Sequence, residues 1–421
     1  MAYSKDKTSE PTALDAANRA ETAGTKCAAG CGLSRIRPAW LEVDLDRLAE
    51  NTRETRRLTR AGALICASMK ANAYGHGAVQ AAKTVLSSGA DRLSVALLDE
   101  GIALRAAGIR APVLILGVPE RARAGEAVTN DLTQTVASLD DARALSDAAL
   151  RAGRRAVVHV KADTGMGRIG FACGAADTEA AAVEEILAAG RLPGVEIEGI
   201  FTHFATADEA DRAFAERQLA VFLRLCGALE SRGLRIPIRH AANSAAIIGF
   251  PESHLEMVRP GIILYGGAGE LPGAHHRAAA LRQVMALKAR VVQVKEISKG
   301  MSIGYGRQFV ADGPARIATL PLGYADGYSR AFSCGRGELL IGGSRAPVAG
   351  RVCMDQCMAD VTRLGRVRQG DEAVLFGAQG GAEITLSELA ERIGTINYEL
   401  MCAVSQRVPR IYLRGGRPAE A

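Results

Sequence analysis

A regular alternation of apolar and amphipathic segments between residues 62 and 265 restricts the possible folds of this chain more than any other feature. Segments with helical periodicity are clearest at 176–189 and 209–232. Eight strands with intervening helices in about 200 residues are what a (β/α)8 barrel of the TIM type requires. A doubly wound open sheet is the alternative, but no Gly-x-Gly-x-x-Gly motif follows an early strand. The apolar, β-branched runs predict strands at 63–69, 92–97, 111–116, 133–137, 155–161, 195–203, 236–240 and 257–265.

After about residue 280 the pattern changes to short alternating runs that are interrupted by Gly, Pro, Asp and Ser. This texture is typical of a β-rich domain, and only 385–392 reads clearly as a helix. Strands are predicted there at 289–294, 315–320, 338–341 and 372–376. The sequence therefore predicts three parts: a disordered tail at 1–36, a barrel domain at 37–280 and a mainly β C-terminal domain at 281–421.

The composition excludes several classes of function. The net charge is +6, but the basic residues are scattered and aromatic residues make up only 4%, so we expect no nucleic-acid partner. Apolar runs are shorter than the roughly 18 to 20 residues that span a bilayer, so no membrane segment is predicted. Nine dispersed cysteines and a tail without a secretory apolar core predict a cytoplasmic protein. Cys27/Cys31 and Cys353/Cys357 lack a matching second pair, so we expect no metal.

Residues 70–77 read KANAYGHG and follow the first apolar run of the barrel. Lys70 therefore lies at the end of a buried strand, with Tyr74 in a glycine-flanked loop. Desolvation opposes the charge of a lysine at such a position. The same effect leaves the amine neutral enough to attack a carbonyl, which is how a Schiff-base lysine arises.

Further polar residues follow other predicted strands, and in barrels the chemistry lies at the carboxyl ends of the strands. Ser244 and the backbone amides of Gly261 and Ile262 fall on the last two strand ends, where barrels commonly bind phosphate. A lysine and a phosphate site on one rim indicate pyridoxal phosphate. Arg259 would donate to the pyridine nitrogen and keep its own proton, which would hold the ring neutral and limit transamination.

Together with the Lys70 octapeptide, these motifs resemble those of the alanine racemases, and the match runs from about residue 37 to 413. The resemblance implies an N-terminal barrel that binds pyridoxal phosphate, a C-terminal β domain, and a homodimer with shared active sites. The motifs are KADTGMGRIG (161–170), THFATAD (202–208), ANSA (242–245), VRPGI (258–262), SIGYG (302–306), GRVCMDQ (350–356), INYE (396–399) and RVPR (407–410).

The resemblance also implies roles for individual residues. Lys70 would attach the cofactor as an imine and be the base on one face of the substrate α-carbon. Tyr305 of the partner subunit would be the base on the opposite face. Arg168 and the backbone amide of Met354 would bind the substrate carboxylate. Lys161 matches a position that is carbamylated in some family members and then orients Arg168.

A second group of residues is implied to bind or support the cofactor. Within it, Tyr74, Ser244, Gly261, Ile262 and Tyr398 would hold the phosphate. The full group of cofactor-binding residues is Lys70, Tyr74, His203, Asn243, Ser244, Arg259, Gly261, Ile262 and Tyr398. The supporting residues are Lys161, His240, Cys353 and Asp355.

The activity implied is the interconversion of L-alanine and D-alanine, which supplies D-alanine for peptidoglycan synthesis. The nearest alternative is a broader racemase of the same architecture that acts on serine or lysine. A non-catalytic pyridoxal-phosphate protein would resemble the barrel alone, so the second domain, Tyr305 and Arg168 disfavour it. A decarboxylase would place an acid opposite the pyridine nitrogen, where this chain has Arg259.

Overall fold

The computed structural model describes residues 37–267 and 281–419. The predicted tail at 1–36, the predicted boundary at 280 and the Cys27/Cys31 pair lie outside these residues. Its helices are α1 (Leu45–Leu58), α2 (Ala78–Ser87), α3 (Leu98–Ala106), α4 (Ala124–Thr129), α5 (Leu139–Arg151), α6 (Ala176–Gly190), α7 (Ala213–Ser231), α8 (Ser244–Gly249), α9 (Leu386–Ile393) and α10 (Asn397–Ala403).

Strands β1 to β10 lie in the N-terminal half of the chain and β11 to β22 in the C-terminal half. The first group is β1 (Ala39–Asp44), β2 (Leu64–Ser68), β3 (Arg92–Val95), β4 (Val113–Ile115), β5 (Thr133–Val136), β6 (Ala156–Asp163), β7 (Phe171–Ala172), β8 (Val195–Phe201), β9 (Ile238–His240) and β10 (Met257–Val258). The second group is β11 (Met285–Arg290), β12 (Gln293–Ile297), β13 (Ser302–Ile303), β14 (Phe309–Val310), β15 (Ala315–Leu320), β16 (Glu338–Ile341), β17 (Ser344–Pro347), β18 (Cys357–Asp360), β19 (Glu372–Gln379), β20 (Ala382–Ile384), β21 (Arg410–Arg414) and β22 (Arg417–Pro418).

Eight parallel strands form the barrel in the order β10-β2-β3-β4-β5-β6-β8-β9, and β7 lies beside β6. The two ends of this order meet through backbone hydrogen bonds from Glu256 N–H to Arg239 C=O (3.2 Å) and from Arg259 N–H to Ala242 C=O (2.9 Å). Helices cover the outside of the strands and side chains fill the inside, so the strands read as nearly continuous apolar runs. The prediction of a TIM-type barrel is confirmed.

The last barrel strand is shorter than the sequence predicts. The apolar run at 257–265 predicts one strand, but β10 ends at Val258 and Ile262–Tyr265 forms a 3-10 turn. Pro260 has no N–H to donate to a ladder, so a strand is interrupted there. The prediction is wrong beyond Val258, and Arg259 and Gly261 lie in the loop that follows the strand.

The second unit is mainly β, as predicted. Its largest sheet has the order β17-β16-β19-β11-β1-β21-β22, with β20 beside β19, and smaller sheets are β12-β15-β18 and β13-β14. β1 pairs with β11 antiparallel and with β21 parallel, so the chain passes through this sheet before α1 leads it into the barrel. The predicted strand at 289–294 spans the break between β11 and β12, which belong to different sheets. Among the described residues, no helix is long and apolar enough to cross a membrane.

Helix α7 packs on the barrel through the apolar stripe that the sequence predicts. Phe222, Leu225 and Leu229 are fully buried, whereas the neighbouring Leu223 is 39% exposed. The helix begins at Ala213 rather than at residue 209, and just before it the Asp211 side chain accepts a hydrogen bond from the Ala213 N–H (2.9 Å).

Replacing Phe222 with alanine tests the contribution of this packing. We expect Phe222→Ala to lower the free energy of unfolding by about 3–5 kcal/mol, because it removes a buried ring and leaves a cavity. Leu223→Ala is the control on the exposed side and should change stability by about 0.5 kcal/mol or less. Urea denaturation of the two variants measures the difference; similar losses for both would contradict the packing of α7.

Candidate active site

Lys70 begins a left-handed turn at the carboxyl end of β2. The four residues 71–74 all have φ between 52° and 54°, although none of them is glycine. This conformation costs an L-residue about 1–2 kcal/mol, and non-glycine residues that adopt it usually occur singly. Backbone strain of this kind persists only where the surrounding structure holds it in place.

Two side chains tie this turn to neighbouring elements through hydrogen bonds. Glu100 accepts a hydrogen bond from the Ala71 N–H (2.6 Å) and is itself anchored by the Ala96 N–H (2.8 Å). Asn72 accepts one from the Ala78 N–H (2.6 Å), at the start of α2. The strained turn is therefore tied to the helices that follow β2 and β3.

Aromatic rings pack on the inner side of the turn. The rings of Tyr74 and Tyr265 are 5.0 Å apart, and His76 stacks on Tyr265 at 4.4 Å. Burial lowers the pKa of His76 to about 3, so this imidazole is neutral. Tyr398, on α10 of the second unit, brings its ring to 6.1 Å from that of Tyr74. Both units therefore contribute to the mouth of the barrel.

The Lys70 amine lies 5.8 Å from the centre of the Tyr74 ring. Burial lowers the pKa of Lys70, and the nearby positive charge of Arg168 lowers it further. Lys161 is also buried; it donates to the Ala162 carbonyl (2.7 Å), and burial lowers its pKa to about 8. A lysine with a lowered pKa has more of the neutral amine that attacks carbonyl groups.

The residues predicted to bind the phosphate gather beside Tyr74. The Gly261 N–H donates to the Ser244 hydroxyl (2.9 Å), and Asn243 caps the helix that Ser244 begins. A Cβ atom at Gly261 would lie 2.5 Å from the Tyr74 hydroxyl oxygen, so the backbone approaches this hydroxyl closely only because residue 261 is glycine. Ile262 follows as the first residue of a buried 3-10 turn. Hydroxyl and N–H donors next to an amine fit a ligand that carries both a phosphate and an aldehyde.

Arg259 is buried beside this cradle and is held by several acceptors. One N–H of Nη1 donates to His240 Nδ1 (2.8 Å). Nη2 donates to the carbonyls of Thr202 (2.8 Å) and Ala241 (3.1 Å), and lies 3.3 Å from His203 Nδ1. Burial lowers the pKa of Arg259 to about 10, so the guanidinium remains charged at neutral pH.

A chain of hydrogen bonds continues from Arg259 through the barrel interior. His240 Nε2 lies 2.8 Å from His159 Nδ1, and His159 Nε2 lies 3.0 Å from Glu198, which forms a bidentate ion pair with Arg92. Burial lowers the pKa of both histidines. Burial by itself would raise the pKa of Glu198, but its hydrogen bonds with His159 and Arg92 lower this pKa to about 2. Since arginine only donates and a carboxylate only accepts, each histidine is protonated at Nε2.

The sequence analysis missed His159, Glu198 and Arg92. His159 precedes Lys161 by two residues on one strand, so their shared face is a signal that could have identified it. The β6–β8 register shifts between Val158 and His159, a bulge that directs Glu198 toward the histidine. A Cβ atom at Gly199 would lie 2.5 Å from the His159 ring. Sequence patterns alone do not reveal this close approach.

Four predicted site residues lie on the second unit, away from this cluster. Tyr305 is 69% exposed and Met354 is 53% exposed. Asp355, next to Met354 and Cys353, forms an ion pair with Arg407 (2.7 Å). Among the described residues, no hydrogen bond, ion pair or ring contact joins Tyr305 to Lys70. A single chain thus brings together the barrel residues and Tyr398, but not Tyr305, Cys353, Met354 or Asp355.

Comparison with known proteins places these features in a family. Residues 43–269 match the family model "Alanine racemase, N-terminal domain", and residues 284–412 match "Alanine racemase, C-terminal domain". An alanine racemase of Clostridium tetani is 45% identical over 383 residues, which cover 90% of this chain and 97% of that protein.

Solved structures agree with the family models. The alanine racemase of Clostridium difficile 630 superposes with a TM-score of 0.85 at 38% identity, covering 91% of this chain and 97% of that one. The Bacillus anthracis enzyme with bound L-Ala-P gives 0.83 at 36% identity, with 91% and 97% covered. This chain belongs to the alanine racemase family.

Proposed function

We propose that this chain is an alanine racemase that interconverts L-alanine and D-alanine with pyridoxal phosphate bound at the mouth of the barrel. The observation that carries the proposal is Lys70, an amine of lowered pKa beside phosphate-binding donors and on the same rim as Arg259. The relatives in Clostridium tetani and Clostridium difficile are named alanine racemases. The D-alanine would serve peptidoglycan synthesis. The cysteines of the described residues are free, which fits the reducing cytoplasm.

Besides Lys70, residues at the mouth of the barrel fit the cofactor at two places, its phosphate and its pyridine nitrogen. Tyr74, Ser244 and the backbone at Gly261 would hold the phosphate, with Ile262, Asn243 and Tyr398 around them. When bound, pyridoxal phosphate supplies an electron sink for the negative charge that develops at the substrate α-carbon. Arg259 would donate an N–H to the pyridine nitrogen and keep its own proton, which would hold the ring neutral and limit transamination.

Protons move between two groups on opposite faces of the substrate. Lys70 Nζ takes the α-proton on one face, and Tyr305 of the partner subunit exchanges it on the other. Arg168 and the Met354 N–H bind the substrate carboxylate. Besides burial, the charge of Arg168 contributes to the lowered pKa of Lys161. Carbamylation of Lys161 would convert this cation into an acceptor for Arg168.

The active species that we propose is a homodimer with shared active sites. Tyr305 and Met354 are exposed on the second unit, and further exposed apolar side chains lie on the same unit. Exposed large apolar side chains on one unit are candidates for burial against another chain. The further side chains are those of Met301, Val310, Tyr324 and Ile396.

Replacing Lys70 tests the covalent attachment site. Lys70→Ala should abolish both racemisation and covalent attachment of pyridoxal phosphate, measured by borohydride reduction and mass spectrometry of the peptide that contains residue 70. The exposed Lys83, on α2, is the matched control, and Lys83→Ala should retain both. Reduced cofactor found on another lysine of Lys70→Ala would refute the assignment.

Mixing two inactive variants tests the shared site. Tyr305→Phe should bind the cofactor but lose most racemisation. Co-refolding Tyr305→Phe with Lys70→Ala should restore about a quarter of the wild-type activity, because half of the random dimers carry one intact site. No recovery in mixtures that demonstrably contain heterodimers would exclude a site that combines Lys70 with Tyr305 of the partner subunit.

A substrate panel separates alanine racemase from its nearest alternative. We expect kcat/KM for L-alanine to exceed the values for L-serine and L-lysine by at least about tenfold, because a pocket that fits a methyl group discriminates against larger side chains by 1–3 kcal/mol. Polarimetry or coupled oxidase assays measure the three rates. A larger kcat/KM for serine or lysine would favour the broader racemase.

A further inference from the structure

We propose that Arg410, on β21 of the second unit, is a positioning residue for Lys70. The Gly75 carbonyl, directly after the left-handed turn, accepts hydrogen bonds from Arg410 Nε (3.2 Å) and Nη2 (3.1 Å). Gly75 has φ of 82° and its N–H donates to the Ala71 carbonyl (2.9 Å), so it closes the turn that Lys70 opens. The consequence for catalysis rests on the proposed function, whereas the effect on the turn does not.

The Arg410 guanidinium is itself fixed by backbone carbonyls. Nη1 donates to Ser405 (2.7 Å) and Val408 (2.8 Å), and Nη2 donates also to Val404 (2.7 Å). An arginine side chain has five N–H donors in a rigid fork, and these contacts use all of them. A lysine at this position would keep the charge but could not reach both Gly75 and the 404–408 segment with the same geometry.

Two other residues of the second unit, Met401 and Tyr412, also lie against the glycines that follow the turn. A Cβ atom at Gly75 would overlap the Met401 carbonyl, and one at Gly77 would overlap the Tyr412 hydroxyl. Arg410 and Tyr412 lie on β21, which pairs with β1 and is therefore anchored in the main sheet. The turn thus rests on a rigid surface of the second unit.

Strain explains why the turn needs this support. Residues 71–74 are Ala, Asn, Ala and Tyr, all of which prefer the right-handed region, so the turn relaxes if its partners are removed. Glu100 and Asn72 tie the turn to the barrel helices, whereas Arg410 binds the Gly75 carbonyl with two donors from the second unit. Because Lys70 immediately precedes these residues, relaxation redirects its amine.

Arg410→Lys in the holoenzyme tests the proposal, with Arg414→Lys as the matched control. Arg414 lies on the same strand and contacts Thr84 of the barrel (3.4 Å), not the turn. We expect Arg410→Lys to increase amide exchange in residues 70–77 by about tenfold or more, and to lower kcat for alanine by about ten- to a hundredfold through misplacement of Lys70. KM should change less than kcat, and Arg414→Lys should match the wild type.

Unchanged exchange in residues 70–77 of Arg410→Lys would overturn the proposal, as would a uniform increase across both units. If Arg410→Lys does not fold, native-state amide exchange of the wild type is the test instead. We expect the amides of residues 70–77 to exchange together with those of β21. Exchange in residues 70–77 while β21 stays protected would overturn the proposal. If the wild type does not racemise alanine, the proposed function fails, but the exchange comparison still tests the role of Arg410.

Discussion

The main electrostatic constraint on this structure is a cluster of positively charged side chains at the mouth of the barrel, three of which are shielded from water. Lys70, Lys161 and Arg259 are all shielded at the mouth of the barrel, and burial together with nearby Arg168 lowers the pKa of each. Among the described residues, none of these four cations forms an ion pair with a carboxylate within 4 Å. Such a cluster is costly until an anion enters it. A phosphate ester and a substrate carboxylate are two anions that would compensate this positive charge. The charge of the site therefore matches that of the proposed ligands.

The hydrogen-bond chain from Arg259 to Glu198 connects the buried guanidinium to a carboxylate without placing that carboxylate at the rim of the barrel. Glu198 stays deep in the barrel with Arg92, and two neutral histidines connect it to Arg259. The donor-only guanidinium and the acceptor-only carboxylate allow one proton arrangement along the chain. Arg259 is therefore fixed as a donor, and in the proposed function the pyridine ring gains a hydrogen bond but no proton.

Much of the fold was predictable from the sequence because strands buried on both faces are largely apolar, as the 63–69 and 111–116 runs are. Pro260 ends β10 early, and a run that reads as continuous is divided after Arg290 because β11 pairs with β19 and β12 pairs with β15. Both breaks depend on backbone hydrogen bonding rather than on polarity. At the site, Lys70 and Arg259 were identifiable because polar residues at strand ends are conspicuous.

Other features of the site depend on tertiary contacts. The left-handed turn contains no glycine at 71–74, so nothing local predicts it. Glu198 reaches His159 through a bulge, and Gly199 leaves room for the imidazole; both become visible only when β6 and β8 are side by side. The contact of Arg410 with Gly75 joins residues that are more than three hundred positions apart. Motif spacing therefore locates the chemistry, whereas long-range packing determines its geometry.

Under the proposed function, each active site depends on three pieces of structure. The barrel supplies the amine and the cations, its own second unit supplies Tyr398 and Arg410, and the partner subunit supplies Tyr305. The first two are joined within one chain by the aromatic contact to Tyr74 and by the hydrogen bonds to Gly75. The third is exposed on the second unit, and among the described residues no hydrogen bond or ring contact joins it to Lys70 of its own chain. A lone subunit would therefore retain its cofactor-binding residues and lose one of the two proton-transfer groups, so dimerisation would control racemisation rather than cofactor binding.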